Sequence, residues 1–105
     1  MNAPIASALL ADVRAACASV ADPEFGLSID DLGLIYDIVI TDGAVAVAMT
    51  LTSAYCPAGD VIVGAIRAAV GAVGGVVSVD VRLVWEPAWA PEMISPRGRE
   101  QLGWS

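Results

Sequence analysis

The chain has 105 residues, a net charge of −7 and an apolar fraction of 57%, which fit one domain spanning 1–105 with its own core and argue against disorder. Its basic residues are five scattered arginines (Arg14, Arg67, Arg82, Arg97 and Arg99), so no basic stripe exists to neutralise phosphates, and nucleic acid and anionic membranes are poor partners. With no histidine and two cysteines, the composition excludes a Ser-His-Asp triad, a Cys-His pair and a four-cysteine metal site within one chain.

The first helix is predicted from about Ile5 to Val20, where Ile5, Leu9, Val13, Ala16, Cys17 and Val20 form one stripe at helical spacing. Pro4 falls where a first-turn proline is tolerated, and Pro23 disfavours helix at Asp22. Asp12 and Arg14 interrupt the apolar N-terminus, which has no basic leader region. It reads as a mature, cytoplasmic terminus, and no apolar run reaches the roughly 18 residues of a membrane span.

"DPEFGLSIDDLGL" reads as a loop with four carboxylates, Asp22, Glu24, Asp30 and Asp31. "IYDIVI" and "AVAVAMTLT" are two strands joined by a hairpin with Asp42-Gly43 at the turn. In the second strand Val45, Val47, Met49 and Leu51 share the face expected to meet the helices, and Ala44, Ala46, Ala48, Thr50 and Thr52 share the other. A second helix is predicted from Pro57 to about Val73, with Val61, Ile62, Ala65, Ile66, Ala69, Val70 and Val73 inward and Gly74-Gly75 as its stop. "VVSVDVRLVW" alternates as a third strand, with Val77, Val79, Val81, Leu83 and Trp85 inward. A short last helix follows, with Ser95 as its cap and Pro96 in its first turn, although Gly98 opposes helix there. The order α-β-β-α-β plus a tail helix predicts an α+β, two-layer sandwich with helices on one face of a small mixed sheet. If the third strand runs parallel to the second, the crossover through the second helix is expected to be right-handed.

Cys56 stands where the second strand has ended and Pro57 opens the predicted helix. As the N-cap its sulfur would lie at the positive end of a helix dipole, which favours the thiolate. The same position suits a small apolar residue that closes a turn, and both readings stay open on local grounds. Cys17, inside the apolar stripe, reads as a core residue. A disulfide between the two is disfavoured in the cytoplasm. For the acidic loop, turn chemistry at Asp22 or Asp30 competes with metal binding or partner docking by Asp22 and Glu24, and a paired acid/base role has nothing to fix its separation. Trp85, Trp89 and Trp104 either cover a core edge, shield a thiol from water or form a partner surface.

Five segments in order then resemble one family: "DPE" (22–24), "SIDDLGLIYD" (28–37), "MTLTSAYCP" (49–57), "WEPAW" (85–89) and "LGW" (102–104). Together they resemble the SufT/PaaD-like metal–sulfur cluster biosynthetic proteins, which carry an iron–sulfur cluster assembly domain, and the likeness covers nearly the whole chain. The resemblance implies a small α/β fold and a non-enzymatic role in maturing iron–sulfur proteins. It places the functional cysteine on Cys56, the acidic pair on Asp22 and Glu24, and the threonines before the cysteine loop on Thr50 and Thr52. Two departures stand out. The Pro-Gly pair common before the family's cysteine is Ala54-Tyr55 here, so the turn is expected to be shaped differently. No cysteine follows Cys56, so the chain resembles the short SufT-like branch rather than the PaaD branch with its cysteine-rich C-terminal module.

One thiolate cannot supply the four ligands of a conventional cluster. The expectation is therefore an iron–sulfur cluster held transiently or shared, either across a homodimer or with donor, scaffold and client apoproteins, with Cys56 as the metal ligand and Asp22, Glu24, Thr50 and Thr52 around it. The alternative is a module that binds no cluster and docks clients through the acidic loop and the tryptophan-containing tail. A thiol redox role is weakest, because no second cysteine lies near Cys56. Ordinary enzyme catalysis lacks histidine, lysine and a phosphate-binding loop.

Overall fold

The computed structural model describes residues 3–54 and 57–103, with side chains from Ala8 onward. The predicted roles of Ile5, Tyr55, Cys56 and Trp104 therefore lie outside the described side chains.

The hairpin forms where the sequence demands it. Strands β1 (Ile35–Thr41) and β2 (Ala44–Met49) pair antiparallel from Thr41↔Ala44 to Ile35↔Met49, with a register shift between Ile35 and Asp37. Asp42 and Gly43 both take positive φ, 51° and 83°, as a two-residue turn matched to the twist of its strands requires. Strand β3 (Ser78–Leu83) pairs parallel to β2, giving the order β1-β2-β3 and a mixed sheet. The parallel pairing needs a crossover, which helix α2 (Gly59–Gly71) supplies.

Helix α1 (Ala3–Ala18) and α2 form the second layer. Val13 and Cys17 of α1, Val45, Val47 and Met49 of β2, and Ile62, Ile66 and Val70 of α2 are all buried in one apolar cluster. Each such side chain contributes about 1.5–3 kcal/mol when fully buried. The sandwich predicted from the order of elements is the one observed.

Several local expectations are corrected. Helix α1 stops at Ala18, two residues early, where the Ser19 hydroxyl turns back onto the Ala16 carbonyl at 2.6 Å. Helix α2 starts at Gly59, with Ala58 as an N-cap that offers no side-chain bond, so Cys56 is not the cap. Gly59 suits the first turn because any Cβ there would stand 2.9 Å from Leu51 Cδ1. Helix α2 also ends at Gly71, capped by Ala72, before the predicted Gly74-Gly75 stop. Val61, assigned to the inner stripe, is 67% exposed. On β3 only Val79 and Val81 of the predicted inner row are covered, and Val77, Leu83 and Trp85 are exposed. These three lie at or beyond the ends of an edge strand, where no neighbouring strand follows. Thr50, placed with the outer alanines, is instead fully buried.

The segment read as a loop is anchored by its own apolar residues: Leu27, Ile29, Leu32 and Leu34 are all buried. The chain end then folds back over it. Pro91–Met93 form a 3-10 turn and Pro96–Gln101 form helix α3, capped by Ser95, whose hydroxyl accepts from the Gly98 N–H at 3.0 Å. Gly98 is used here because a Cβ would press Ile94 Cγ2 at 2.9 Å.

Candidate functional site

Asp22 follows the end of α1 and is 1% exposed. Its Oδ1 accepts from the backbone N–H groups of Glu24 (2.7 Å) and Phe25 (3.4 Å), so the carboxylate shapes the turn that its own segment makes. Gly26, at φ 70°, returns its N–H to the Asp22 carbonyl at 2.8 Å. The turn chemistry expected of Asp22 thus uses one carboxylate oxygen. The other, Oδ2, is buried with no hydrogen-bond partner among the described residues.

Thr50 follows β2 directly and is fully buried, and its Oγ1 also lacks a partner among the described residues. A run of backbone bonds joins the two segments. Ile29 N–H reaches Val20 O at 2.9 Å, Leu34 N–H reaches Ile29 O at 3.0 Å, and Thr50 N–H reaches Leu34 O at 2.9 Å. The "DPE" turn and the strand end that leads to Cys56 are therefore linked through the segment that precedes β1. Such orphaned polar atoms in a fold's interior are uncommon and costly, and two on adjoining segments mark this place.

Thr52 is half-buried beyond Thr50, and Glu24 is exposed at the rim of the turn. Backbone bonds through residues 29–34 link the segment of Asp22 and Glu24 to that of Thr50 and Thr52, while Cys56 lies outside the described residues. Among the described residues, no group of three or more His, Cys, Asp or Glu side chains is placed to hold a metal ion. A shallow hollow on the outer sheet face, between Asp37, Val39, Ala46, Asp80 and Arg82, contains none of the predicted site residues.

The other thiol is a different case. Cys17 is fully buried, and burial raises its pKa, with Asp30 adding to the rise and Arg14 opposing it. A protonated, enclosed sulfur is neither nucleophile nor ligand, so the core reading of Cys17 holds.

Sequence reasoning missed how the tail holds this end together. Trp89 donates its indole N–H to the Leu32 carbonyl at 2.7 Å and tilts its ring against Phe25, centroids 6.3 Å apart. Tyr36 donates to Pro87 O at 2.8 Å. Asp31 accepts from the Ser95 hydroxyl at 2.9 Å and faces Arg97 Nε at 3.5 Å. The available signal was the Ser95-Pro96 cap, which needs a carboxylate or N–H beside it, but nothing in the spacing named Asp31 as its partner.

Fold and site together define a small α+β domain in which an acidic turn is tied, through the segment before β1, to the strand end that leads towards a cysteine loop. Comparison with known proteins agrees. Residues 10–81 match the family described as "Iron-sulfur cluster assembly protein", and the chain belongs to that family. It is 43% identical over 86 residues to an Fe-S protein maturation auxiliary factor of Porphyromonas gingivalis, covering 81% of this chain and 82% of that one. It is 37% identical over 85 residues to the Fe-S protein maturation auxiliary factor SufT of Staphylococcus aureus, covering 80% and 97%. The fold is similar to a domain of unknown function from Bacillus anthracis, with a TM-score of 0.88, 32% identity, and 92% and 93% of the two chains covered. The resemblance read from the ordered motifs is borne out by these relatives.

Proposed function

We propose that this chain is a non-enzymatic accessory factor, a carrier or adaptor, that assembles iron–sulfur clusters and delivers them to client apoproteins in the cytoplasm. The cluster is its cargo, bound by Cys56 as a transient or shared ligand. Donor or scaffold proteins, clients or a second copy of the chain supply the remaining ligands, and few protein ligands suit release. Asp22, Glu24, Thr50 and Thr52 form the polar surround. The observation that supports this reading is the pair of buried oxygens without partners among the described residues, Asp22 Oδ2 and Thr50 Oγ1, on two segments linked through residues 29–34. In this role they accept from, or donate to, groups that arrive with the cargo or with the loop that carries it. The maturation factors among the relatives favour the same role.

Anaerobic reconstitution with iron and sulfide, followed by visible absorption, size measurement and transfer to an apo acceptor, tests the ligand role. The expected result is a chromophore that disappears in Cys56→Ser together with delivery. A wild type that stays colourless, with Cys56→Ser still supporting client maturation, would refute it and leave a docking module that binds no cluster.

A further inference from the structure

The end of the sheet that leads towards the site also carries uncovered apolar side chains. Met49 and Leu83 are register partners, and the Val84 N–H bonds to Met49 O at 2.8 Å, so Leu83, Val84 and Trp85 leave the sheet beside the residues that begin the cysteine approach. The first turn of α2 starts from the same place, since Gly59 lies against Leu51. Three of the large apolar side chains exposed among the described residues stand on the segments that start or leave at this end: Val61 (67%), Trp85 (44%) and Leu83 (38%). Trp85 differs from Trp89, which is spent internally on Leu32 and Phe25.

Charge on this end has one sign. Asp60 adjoins Val61 and Glu86 adjoins Trp85; both are exposed, and neither forms an ion pair among the described residues. The basic residues nearest to these carboxylates in sequence form no ion pair with them among the described residues. Arg67 lies about two turns further along α2, and Arg82 lines the hollow on the outer sheet face with Asp37 and Asp80. Apolar groups rimmed by uncompensated carboxylates complement a surface of opposite character.

We infer that Val61, Leu83 and Trp85, flanked by Asp60 and Glu86, form the surface that docks a partner protein, through a segment of that partner carrying arginine or lysine beside apolar side chains. The inference rests on the delivery role proposed above and gives the partner its chemistry. Trp85 supplies the flat, amphipathic anchor typical of such contacts, and the carboxylates speed and orient the encounter. Docking here brings the partner to the end of the sheet that holds Asp22 and Thr50.

The test uses the full chain, labelled with ¹⁵N, and two short synthetic peptides, one alternating Arg with Leu and one alternating Glu with Leu. Titration with the Arg peptide is expected to shift amides of residues 60–62 and 83–86 in a salt-dependent manner, and the Glu peptide is expected to leave them in place. Val61→Ser/Trp85→Ala and, independently, Asp60→Asn/Glu86→Gln are each expected to weaken binding by about tenfold or more. Val77→Ser, at the opposite end of β3, is expected to change nothing. Urea unfolding confirms that each variant folds. Shifts spread evenly over the acidic surface, equal binding of the two peptides, unchanged affinity in both double variants, or burial of residues 60–62 and 83–86 in a homodimer would each overturn the inference. Cys56→Ser is expected to bind the Arg peptide like wild type. Failure of the peptide test is thereby separated from failure of the cluster-ligand role.

Discussion

Trp89 and Leu32 are joined by an indole-to-carbonyl hydrogen bond of 2.7 Å that spans 57 positions of sequence. The bond fastens the chain's end to the segment between the acidic turn and β1, and the same ring rests on Phe25 inside that turn. The tail therefore acts as a clasp on the site's acidic side.

Replacing Trp89 by Phe keeps a ring near Phe25 but leaves the Leu32 carbonyl without its donor. An unsatisfied half-buried carbonyl and a lost hydrogen bond cost about 1–2 kcal/mol. Trp89→Ala also removes apolar contact and is expected to cost about 3 kcal/mol. Urea unfolding measures both, and amide exchange in residues 22–27 should rise in the same order. Equal stability of Trp89→Phe and wild type would show that the bond is incidental.

Two glycines should respond in opposite directions to the same change. At Gly33 the backbone has φ 79°, and an added Cβ would run into the backbone of Met93. Gly33→Ala combines a left-handed conformation with a backbone clash, so a loss of about 3 kcal/mol or more is expected. Gly64 lies within α2 with open space around the position of a Cβ. Gly64→Ala should gain about 0.5–1 kcal/mol from the lowered entropy of the unfolded chain. Urea midpoints for the two variants should fall on opposite sides of wild type.

Regular alternation and turn chemistry made the sheet and hairpin legible in the sequence. Val45, Val47 and Met49 could be placed inward, and Asp42-Gly43 at the turn, because period two and positive φ leave direct marks on residue choice. The loop from 22 to 34 left no such mark. Its buried residues Leu27, Ile29, Leu32 and Leu34 follow neither period two nor period 3.6 throughout, since they are held by packing into the core cluster rather than by a repeating element. Val61, Leu83 and Trp85 failed for a related reason. Periodicity gives the side of an element but not whether anything covers that side, and at a sheet's edge nothing need do so. For the site, the motifs identified Asp22 and Thr50, but nothing local could say that each would bury an oxygen with no partner. The start of α2 misled because Pro57 suits a first helical turn, whereas packing of Gly59 on Leu51 sets the start two residues later.

Asp22→Asn separates the two jobs of that side chain. Its Oδ1 bonds to Glu24 and Phe25 can survive in the amide, while Oδ2 is exchanged for an N–H donor. Stability is expected to stay within about 1 kcal/mol of wild type, since one uncompensated group replaces another. Cluster delivery to an apo acceptor should fall. Asp22→Ala, which loses both turn bonds, should cost about 2 kcal/mol as well. Full delivery by Asp22→Asn would remove Oδ2 from the proposed surround.

Cys17 gives the protein an alkaline limb whose sign follows from burial. In the fold its thiol titrates above the ordinary value of 9.0, because burial disfavours the thiolate and Asp30 adds to the effect. In the unfolded chain the thiol ionises near its ordinary value. Below that value both states hold the proton, and the stability from burying a neutral sulfur is fully present. As pH rises further the unfolded state sheds its proton first, so stability falls until the folded thiol also ionises. Cys17→Ala removes this limb at the cost of a small cavity, about 1 kcal/mol at neutral pH. The comparison is best made on a Cys56→Ser background, which silences the second thiol. In urea unfolding, the stability gap between that single variant and the double variant Cys17→Ala/Cys56→Ser should therefore narrow from neutral pH to about pH 10. Iodoacetamide should likewise leave Cys17 unmodified in the native protein and label it after denaturation. A constant gap, or rapid native labelling, would place the Cys17 sulfur in contact with solvent and contradict its enclosed position in the core.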